Sequence, residues 1–338
     1  MHSLQKFTLF GIGFLLLILL YSSSKSPIEN NSGRKSGNSL SPKSDTIPNS
    51  DVSILLTGDV MLGRTVMIKS LESGDPNYPF LKVAGTLRSA DITFVNLENP
   101  IIANCPKYES GFIFCALPAM VKGLTFAGID VVNLANNHSR NFGEKGLEET
   151  VKILKDNGIL ATGLGRLVTI ERDGQVFGFL GFDFTVKNPT EADLKLIKES
   201  DTKVDILIVA VHWGVEYTST PTKQQREWAR QMADAGADVI SGHHPHWVQG
   251  IECFEKPKGV DTIPPLGWNR FTPQDNTCPS NSTLVYYSLG NFVFDQMWSE
   301  ETKKGMVVEL NFLDSELQSI NQQKTYMFKS GQPQFVKD

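Results

Sequence analysis

Between Gly242 and His246 the chain reads GHHPH, which places three of its six histidines within four positions. The run GADVI just before it reads as a buried strand. Other apolar runs end in the same manner: LLTGD in Asp59, FVNLE in Glu98, VVNLANNH in Asn136, Asn137 and His138, and ILIVAVH in His212. Five candidate strands thus deliver carboxylate, amide or imidazole at their C-terminal ends, where open α/β sheets place their ligand crevice. Asp, Glu, Asn and His together form a mixed oxygen and nitrogen donor set. Such a set suits Mn²⁺, Zn²⁺ or Fe²⁺ and offers no thiolate to softer metals. One or two such ions would lower the pKa of a bound water and clamp both ends of a displacement. An imidazole left over would protonate the leaving group.

Each piece alone has a plainer explanation. Asp59 after a glycine suits a turn, Asn-Asn-His suits a helix N-cap, and His212 beside Trp213 suits an apolar core. GHHPH resists that treatment, because a Gly-Pro loop projecting three imidazoles has little structural use. Jointly, the metal-site reading outweighs the structural ones.

The elements that must carry these residues are legible as an alternation. VSILLTGD, DITFVNLE, DVVNLANN, VDILIVAVHWG and GADVISGHH read as strands. YPFLKVAGTLRSA, PAMVKGLTFAGI, GEKGLEETVKILKDNG and PTKQQREWARQMADAG have helical spacing, with Leu147, Val151 and Leu154 on one face and Gly158 as a stop. RLVTIERDG and VFGFLGFDF form a hairpin through the Asp173–Gly174 turn. WVQGIECF, STLVYYSLGNFVFD and GMVVELNFLD then add strands, which suggests a second, mixed sheet packed on the first. Strands alternating with helices imply an α/β class, and one domain is expected over about 51–335.

The formal charge of −5 and the absence of a basic run argue against a nucleic-acid partner. Phe7 to Tyr21 is almost continuous hydrocarbon and predicts a signal anchor over residues 1–21, with a cleaved signal peptide as the close alternative. Residues 22–50, rich in Ser, Asn, Pro and Gly, read as a disordered linker. The expected location is the cell membrane, single-pass with the domain outside the cytoplasm, or secreted if the signal is removed. Four cysteines fit that address. They allow three pairings, of which local pairing of Cys105 with Cys115 and Cys253 with Cys278 is preferred.

LLTGDVMLGR, VNLENPI, NLANNHSRNFGEKGL, VHWGVEY, GADVISGHHPHWVQG and YSLGNFVFD occur in this order between Asp51 and Asp295. In order and spacing they resemble the blocks of the bacterial poly-γ-glutamate capsule-biosynthesis CapA family, which looks like a branch of the calcineurin-like metallophosphoesterases. The resemblance implies a four-layer αββα sandwich with a dinuclear site at the strand ends. It matches Asp59 to a metal-ligating Asp, Glu98 to a bridging carboxylate, and Asn137 to a ligand with His138 as the acid. His212 matches a lone strand-end ligand. His243 with His246 resembles a Gly-His-x-His pair stretched by one residue, which leaves His243 and His244 as alternatives. Two departures stand out: Met61 occupies a position where phosphoesterases have His, and Asn141 one where the family has a carboxylate. Arg64, Glu216 and Asn291 are expected substrate contacts, though a surface salt bridge explains Arg64 or Glu216 equally well.

The resulting expectation is a metal-dependent hydrolase or transferase acting on an anionic polymer such as poly-γ-glutamate, beside a membrane polymer synthase. Two alternatives stay open: a non-catalytic metal- or polymer-binding accessory subunit, and a secreted phosphoesterase.

Overall fold

The computed structural model describes residues 51–255, 270–271, 278–279 and 281–337. Its first half alternates strand and helix. β1 (Val52–Val60) leads to α1 (Arg64–Glu72) and α2 (Ala84–Leu87), and β2 (Ile92–Leu97) to α3 (Val121–Ala127). β3 (Val131–Asn133), α4 (Gly143–Asp156) and β4 (Leu160–Thr162) follow. The second half opens with β5 (Val168–Arg172), β6 (Gln175–Asp183), α5 (Glu191–Asp201), β7 (Ile206–His212), α6 (Lys223–Asp234) and β8 (Val239–His243). The remainder is strand: β9 (Ile251–Glu255), β10 (Arg270–Phe271), β11 (Ser282–Tyr286), β12 (Asn291–Val293), β13 (Lys304–Leu313), β14 (Glu316–Lys329) and β15 (Gln332–Phe335).

These strands form two sheets of a mixed α/β fold. The first runs β15-β14-β13-β1-β2-β3-β4, with β12 also paired to β1, and the second runs β10-β9-β11-β8-β7-β6-β5. In the first sheet β1 to β4 run parallel and β13, β14 and β15 add on antiparallel at one side; in the second, β6, β7, β8 and β11 run parallel and both margins are antiparallel. Because alternate strand residues face opposite sides, Ile54 and Leu56 of β1 join Phe94, Phe177, Phe179 and Ile208 in a core between the sheets. Phe94 stacks on Phe179 there at 5.8 Å. Leu55, Val95 and Val132 face the other way, onto Val66, Leu124, Leu147 and Leu154 from α1, α3 and α4. Leu207, Val209 and Ile240 likewise meet Ile197, Trp228 and Met232 from α5 and α6. Burying each such side chain contributes about 1.5–3 kcal/mol, so three apolar layers hold the two sheets in place.

Local signals fix the element ends. Thr222 and Gln225 form a reciprocal capping box at the start of α6. Asp173 and Gly174, both at positive φ, make the two-residue turn between β5 and β6. Glycine sets how closely neighbouring backbones approach within each sheet next to the site. A Cβ on Gly58 would lie 2.0 Å from the Gly290 carbonyl oxygen, and one on Gly242 would lie 2.1 Å from that of Tyr287.

Several expectations are revised. YPFLKVAGTLRSA is not one helix but a 3₁₀ turn at Tyr78–Phe80 followed by the four-residue α2. STLVYYSLGNFVFD is not one strand: β11 lies in the second sheet and β12 in the first, with Gly290 at φ 70° in the crossing. The β-rich tail does not build the second sheet by itself. β13, β14 and β15 extend the first sheet, while β6, β7 and β8 centre the second. Both local disulfides, Cys105–Cys115 and Cys253–Cys278, are formed.

Among the described residues no helix is long and apolar enough to cross a membrane. The longest, α4, has 14 residues, about 21 Å at 1.5 Å each, against a hydrocarbon core of about 30 Å. This corrects the expectation of a membrane-anchored, single-pass chain with a membrane synthase as partner. Phe7–Tyr21, which prompted it, lies outside the described residues, as does the linker expected at 22–50.

Candidate metal centre

The predicted donors converge, but from two sheets rather than one. Asp59 ends β1, Glu98 follows β2 and Asn137 and His138 follow β3, all from the first sheet. His212 ends β7 and His243 ends β8 in the second sheet, and their backbones pair in register.

Asp59 is fully buried and held on all sides. Its Oδ1 accepts from Asn96 Nδ2 at 2.9 Å and lies 3.0 Å from His243 Nδ1. Its Oδ2 accepts from the His244 backbone N–H at 3.3 Å and lies 3.3 Å from His246 Nδ1. Burial opposes ionisation of Asp59, yet the hydrogen bonds and charges of His243 and His246 hold its carboxyl well below the usual range. The second nitrogen of His243 lies 3.2 Å from Ser241 Oγ. With both nitrogens engaged, His243 orients Asp59, while His244 turns toward His246 and Glu216.

Glu98 is the opposite case. It is fully buried, and neither carboxylate oxygen has a hydrogen-bond partner. Three imidazole Nε2 atoms surround its Oε1: His246 at 3.7 Å, His138 at 3.8 Å and His212 at 3.9 Å. Burial, reinforced by the charges of Asp59 and Glu216, raises its carboxyl well above the usual range. A buried acceptor without a partner costs about 1–3 kcal/mol, more if charged, so the arrangement calls for a cation. Ligand atoms of Asp59, Glu98 and His212 all lie within 4.8 Å of one another, and those of Glu216, His244 and His246 do so as well. Carboxylate oxygen and imidazole nitrogen, each about 2.0–2.2 Å from zinc-type ions, are the donors such a centre needs. The residues fit a divalent ion.

Hydrogen bonds around these side chains fix their orientation, as supporting groups of metal sites do. Asn291 Nδ2 donates to Gln296 Oε1 at 3.0 Å and to the Thr302 carbonyl at 2.9 Å. Its Oδ1 is therefore the acceptor for His246 Nδ1 at 2.9 Å, which leaves His246 Nε2 facing Glu98. Asn137 Oδ1 lies 3.1 Å from His212 Nε2, so the amide and the imidazole face one point. Burial first, then the neighbouring histidines, push His212 well below its ordinary value and His244 down to about 4. Both imidazoles are then neutral, the form that binds metal. For His246 burial also opposes protonation, but Glu98, Asp59 and Glu216 together hold it up at about 9.

His138 stands beside this set. Its ring stacks on Phe114 at 3.9 Å, and its Nδ1 lies 3.1 Å from Asn141 Oδ1. The same oxygen accepts from the Phe114 N–H at 2.6 Å. Nδ1 therefore carries the proton and Nε2 presents its lone pair to the site. Burial brings His138 down to about 4, with the Asn141 hydrogen bond working against the shift and the charge of His246 adding to it.

The three expected substrate contacts fall in different places. Arg64 spends its guanidinium inside the protein, on Asp295 and on the Gly111 carbonyl at 2.6 Å, over the Phe114 ring. Asn291 is fully buried as the positioner of His246. Glu216 sits with His244 and His246. Met61 is buried in the helix-covered core, its sulfur accepting from the Gly63 N–H at 3.0 Å. Sequence reasoning missed Asn96 and Asn133, whose side-chain amides link β2, β3 and Asp59. Their signal was an asparagine inside an apolar run, in FVNL and in VVNL. Arg64, Tyr217, His244 and His246 all adopt positive φ, conformations costly for such residues and concentrated at functional sites.

The chain matches the profile of a family described as bacterial capsule synthesis protein PGA_cap over residues 53–193 and 183–296. It is 30% identical over 295 residues to the PGA biosynthesis protein CapA of Bacillus subtilis, covering 80% of this chain and 70% of that protein. It is 29% identical over 296 residues to the capsule biosynthesis protein CapA of Bacillus anthracis, covering 79% of this chain. The match spans only 65% of that relative's length. Among solved structures, a hypothetical protein from Thermus thermophilus superposes with a TM-score of 0.50 at 15% identity, over 81% of this chain and 98% of that one. At that identity the likeness concerns the fold alone.

Proposed function

The chain belongs to the bacterial capsule synthesis protein family PGA_cap, and on that footing we propose that it is a metal-dependent hydrolase or transferase. Its two sheets and outer helices are read as the four-layer αββα sandwich of calcineurin-like metallophosphoesterases. Its substrate is an anionic polymer of the poly-γ-glutamate type. The relatives' names, capsule biosynthesis and PGA biosynthesis, support that substrate class. One observation carries the reading: Glu98 is fully buried with both oxygens unpartnered, amid three imidazole nitrogens and beside Asp59. Asp59, Glu98, Asn137 and His212 would hold a divalent ion, which when bound supplies Lewis acidity and an acidified water. His246 closes the set from the second sheet. His138, with its proton on Nδ1 and its lone pair on Nε2, accepts a proton at that atom and returns it to a leaving group.

A second reading, a metal-binding accessory protein without turnover, draws on Asn141 and Met61. An amide holds His138 where a carboxylate would stabilise its charged form, and residue 61 lies in the core rather than at the site. Metal analysis of the purified chain, followed by assays on a phosphodiester and on a γ-glutamyl peptide with and without Mn²⁺, separates the two. Catalysis predicts Mn²⁺-dependent turnover that His138→Ala lowers by about 10²–10⁴-fold. Bound metal with no turnover on either substrate favours the accessory reading, and a chain that binds no metal refutes both.

A further inference from the structure

Resting on the reading of His138 as the proton-transfer residue, we propose that the disulfide-closed loop from Cys105 to Cys115 positions it, with Phe114 as the positioning residue. The loop acts on His138 and leaves the metal ligands alone. Arg64 backs Phe114 and belongs to this clamp rather than to a substrate subsite.

Phe114 reaches His138 by two routes. Its ring lies on the imidazole at 3.9 Å, with 27° between the planes. Its backbone N–H and His138 Nδ1 meet on Asn141 Oδ1, at 2.6 Å and 3.1 Å. Ring and amide of one residue thus set the plane of the imidazole and, through Asn141, its tautomer, which leaves Nε2 3.8 Å from Glu98 Oε1. The Arg64 guanidinium lies 4.5 Å from the centre of the same Phe114 ring, and Phe294 meets it edge-on at 6.0 Å.

The loop is held at its ends rather than along its length. Of residues 106–113 only Tyr108 is even half-buried, and Phe112 and Ile113 are 81% and 56% exposed. Cys105 and Cys115, by contrast, are buried and joined. Beyond them the Ala116 N–H donates to the Pro100 carbonyl and the Ile102 N–H to the Ala116 carbonyl, both at 2.9 Å. A Cβ on Gly63 would lie 2.3 Å from the Cys115 carbonyl oxygen, so this end of the loop rests on the start of α1. Arg64 comes next, with Nη1 on the Gly111 carbonyl at 2.6 Å and Nε on Asp295 at 3.1 Å. Its φ of 45° is a costly backbone for such a residue, kept where the surroundings enforce it. Among the described residues, the side chains of Asp59, Glu98, Asn137, His212 and His246 make no hydrogen bond to this loop.

The test reads His138 in the full chain by NMR of labelled histidines, beside calorimetric titration with Mn²⁺. Protons of an imidazole lying on Phe114 are moved upfield by its ring current, and His138→Ala assigns the signal. Cys105→Ala with Cys115→Ala keeps the phenyl ring but should lose the upfield displacement, while Mn²⁺ binding stays as in the wild type. Cys253→Ala with Cys278→Ala should lose neither. Phe114→Leu, which retains the disulfide and decides the matter if the double variant does not fold, should make His138 react several times faster with diethyl pyrocarbonate. On a substrate that is turned over, Phe114→Leu should lower kcat about 10²-fold with KM little changed, and Phe114→Tyr should recover it. An unchanged His138 signal in the double variant, or unchanged reactivity in Phe114→Leu, would overturn the proposal. Loss of Mn²⁺ binding along with the signal would overturn it too, by making the loop a support of the whole centre. A displaced signal that the double variant abolishes, in a chain without turnover, would refute catalysis and uphold the clamp.

Discussion

Replacing Glu98 by methionine reverses the usual effect of cutting into a buried site. In the metal-free protein the carboxylate is a liability, since both oxygens are buried without partners. At about 1–3 kcal/mol for each unsatisfied atom, and with part offset by attraction to protonated His246, its removal should stabilise by about 1–3 kcal/mol. Unfolding entropy of about 2.1 cal/mol/K per residue over roughly 285 residues gives about 0.6 kcal/mol per degree. Metal-free Glu98→Met should therefore melt about 2–5 °C above the metal-free wild type. Mn²⁺ at a hundred times its Kd stabilises a one-site binder by about 2.7 kcal/mol, or roughly 4–5 °C on the same scale. The wild type should show that rise and the variant should lose it. Differential scanning fluorimetry with chelator and then with graded Mn²⁺ reads both numbers. If metal-free Glu98→Met melts several degrees below the wild type, or gains as much from Mn²⁺, the account of Glu98 as a metal-seeking carboxylate is wrong.

Gly58→Ala should cost about 3 kcal/mol or more, because its Cβ would meet the Gly290 carbonyl oxygen at 2.0 Å. Chemical denaturation should show the loss, and metal content should fall with it since Asp59 is the next residue. Asn141→Ala strips the acceptor from the Phe114 N–H and from His138 Nδ1. It should cost about 1–3 kcal/mol and lower kcat more than it raises KM, whereas Asn141→Asp keeps the acceptor and the stability.

The sequence was most readable where period and chemistry coincided. Apolar runs ending in Asp59, Glu98 and His212 announced both the strand and the donor, because a strand buried on both faces must be apolar until it reaches the site. Asn96 and Asn133 were harder. Within FVNL and VVNL an amide looks like a break in the pattern, and only the contact between β2, β3 and Asp59 shows it as a tether. Assignment of strands to sheets was not legible at all. STLVYYSLGNFVFD is uniformly strand-like, and its division rests on one residue, Gly290, whose left-handed backbone carries the chain from one sheet to the other. β14 escaped for a related reason: much of it is polar and exposed, and its pairing with β13 does not need an apolar stripe. Adjacent histidines in a loop share every sequence property, so only side-chain geometry separates His243, beside Asp59 and Ser241, from His244, which faces Glu216 and His246.

That choice exposes the logic of the seam between the sheets. A site built on one sheet would have its donors spaced by the strand separation of about 4.8 Å, and all would point along one edge. Asp59 and Glu98 instead come from one sheet and His212, His244 and His246 from the other, so the donors oppose one another across the junction. Close approach of the two sheets requires a position without a side chain, which Gly181 of β6 supplies: a Cβ there would lie 2.0 Å from the Asn133 side-chain oxygen of β3. Turning the imidazoles back toward the carboxylates requires unfavourable backbone at His244 and His246. Packing between the sheets can hold such strain, but it does nothing for the unpartnered oxygens of Glu98 or the unpartnered Nδ1 of His244. Those atoms cost stability in the metal-free chain, and bound cations would satisfy them together. The fold can therefore be expected to give up stability at this seam in exchange for a centre ready to bind metal, which is the trade that Glu98→Met measures.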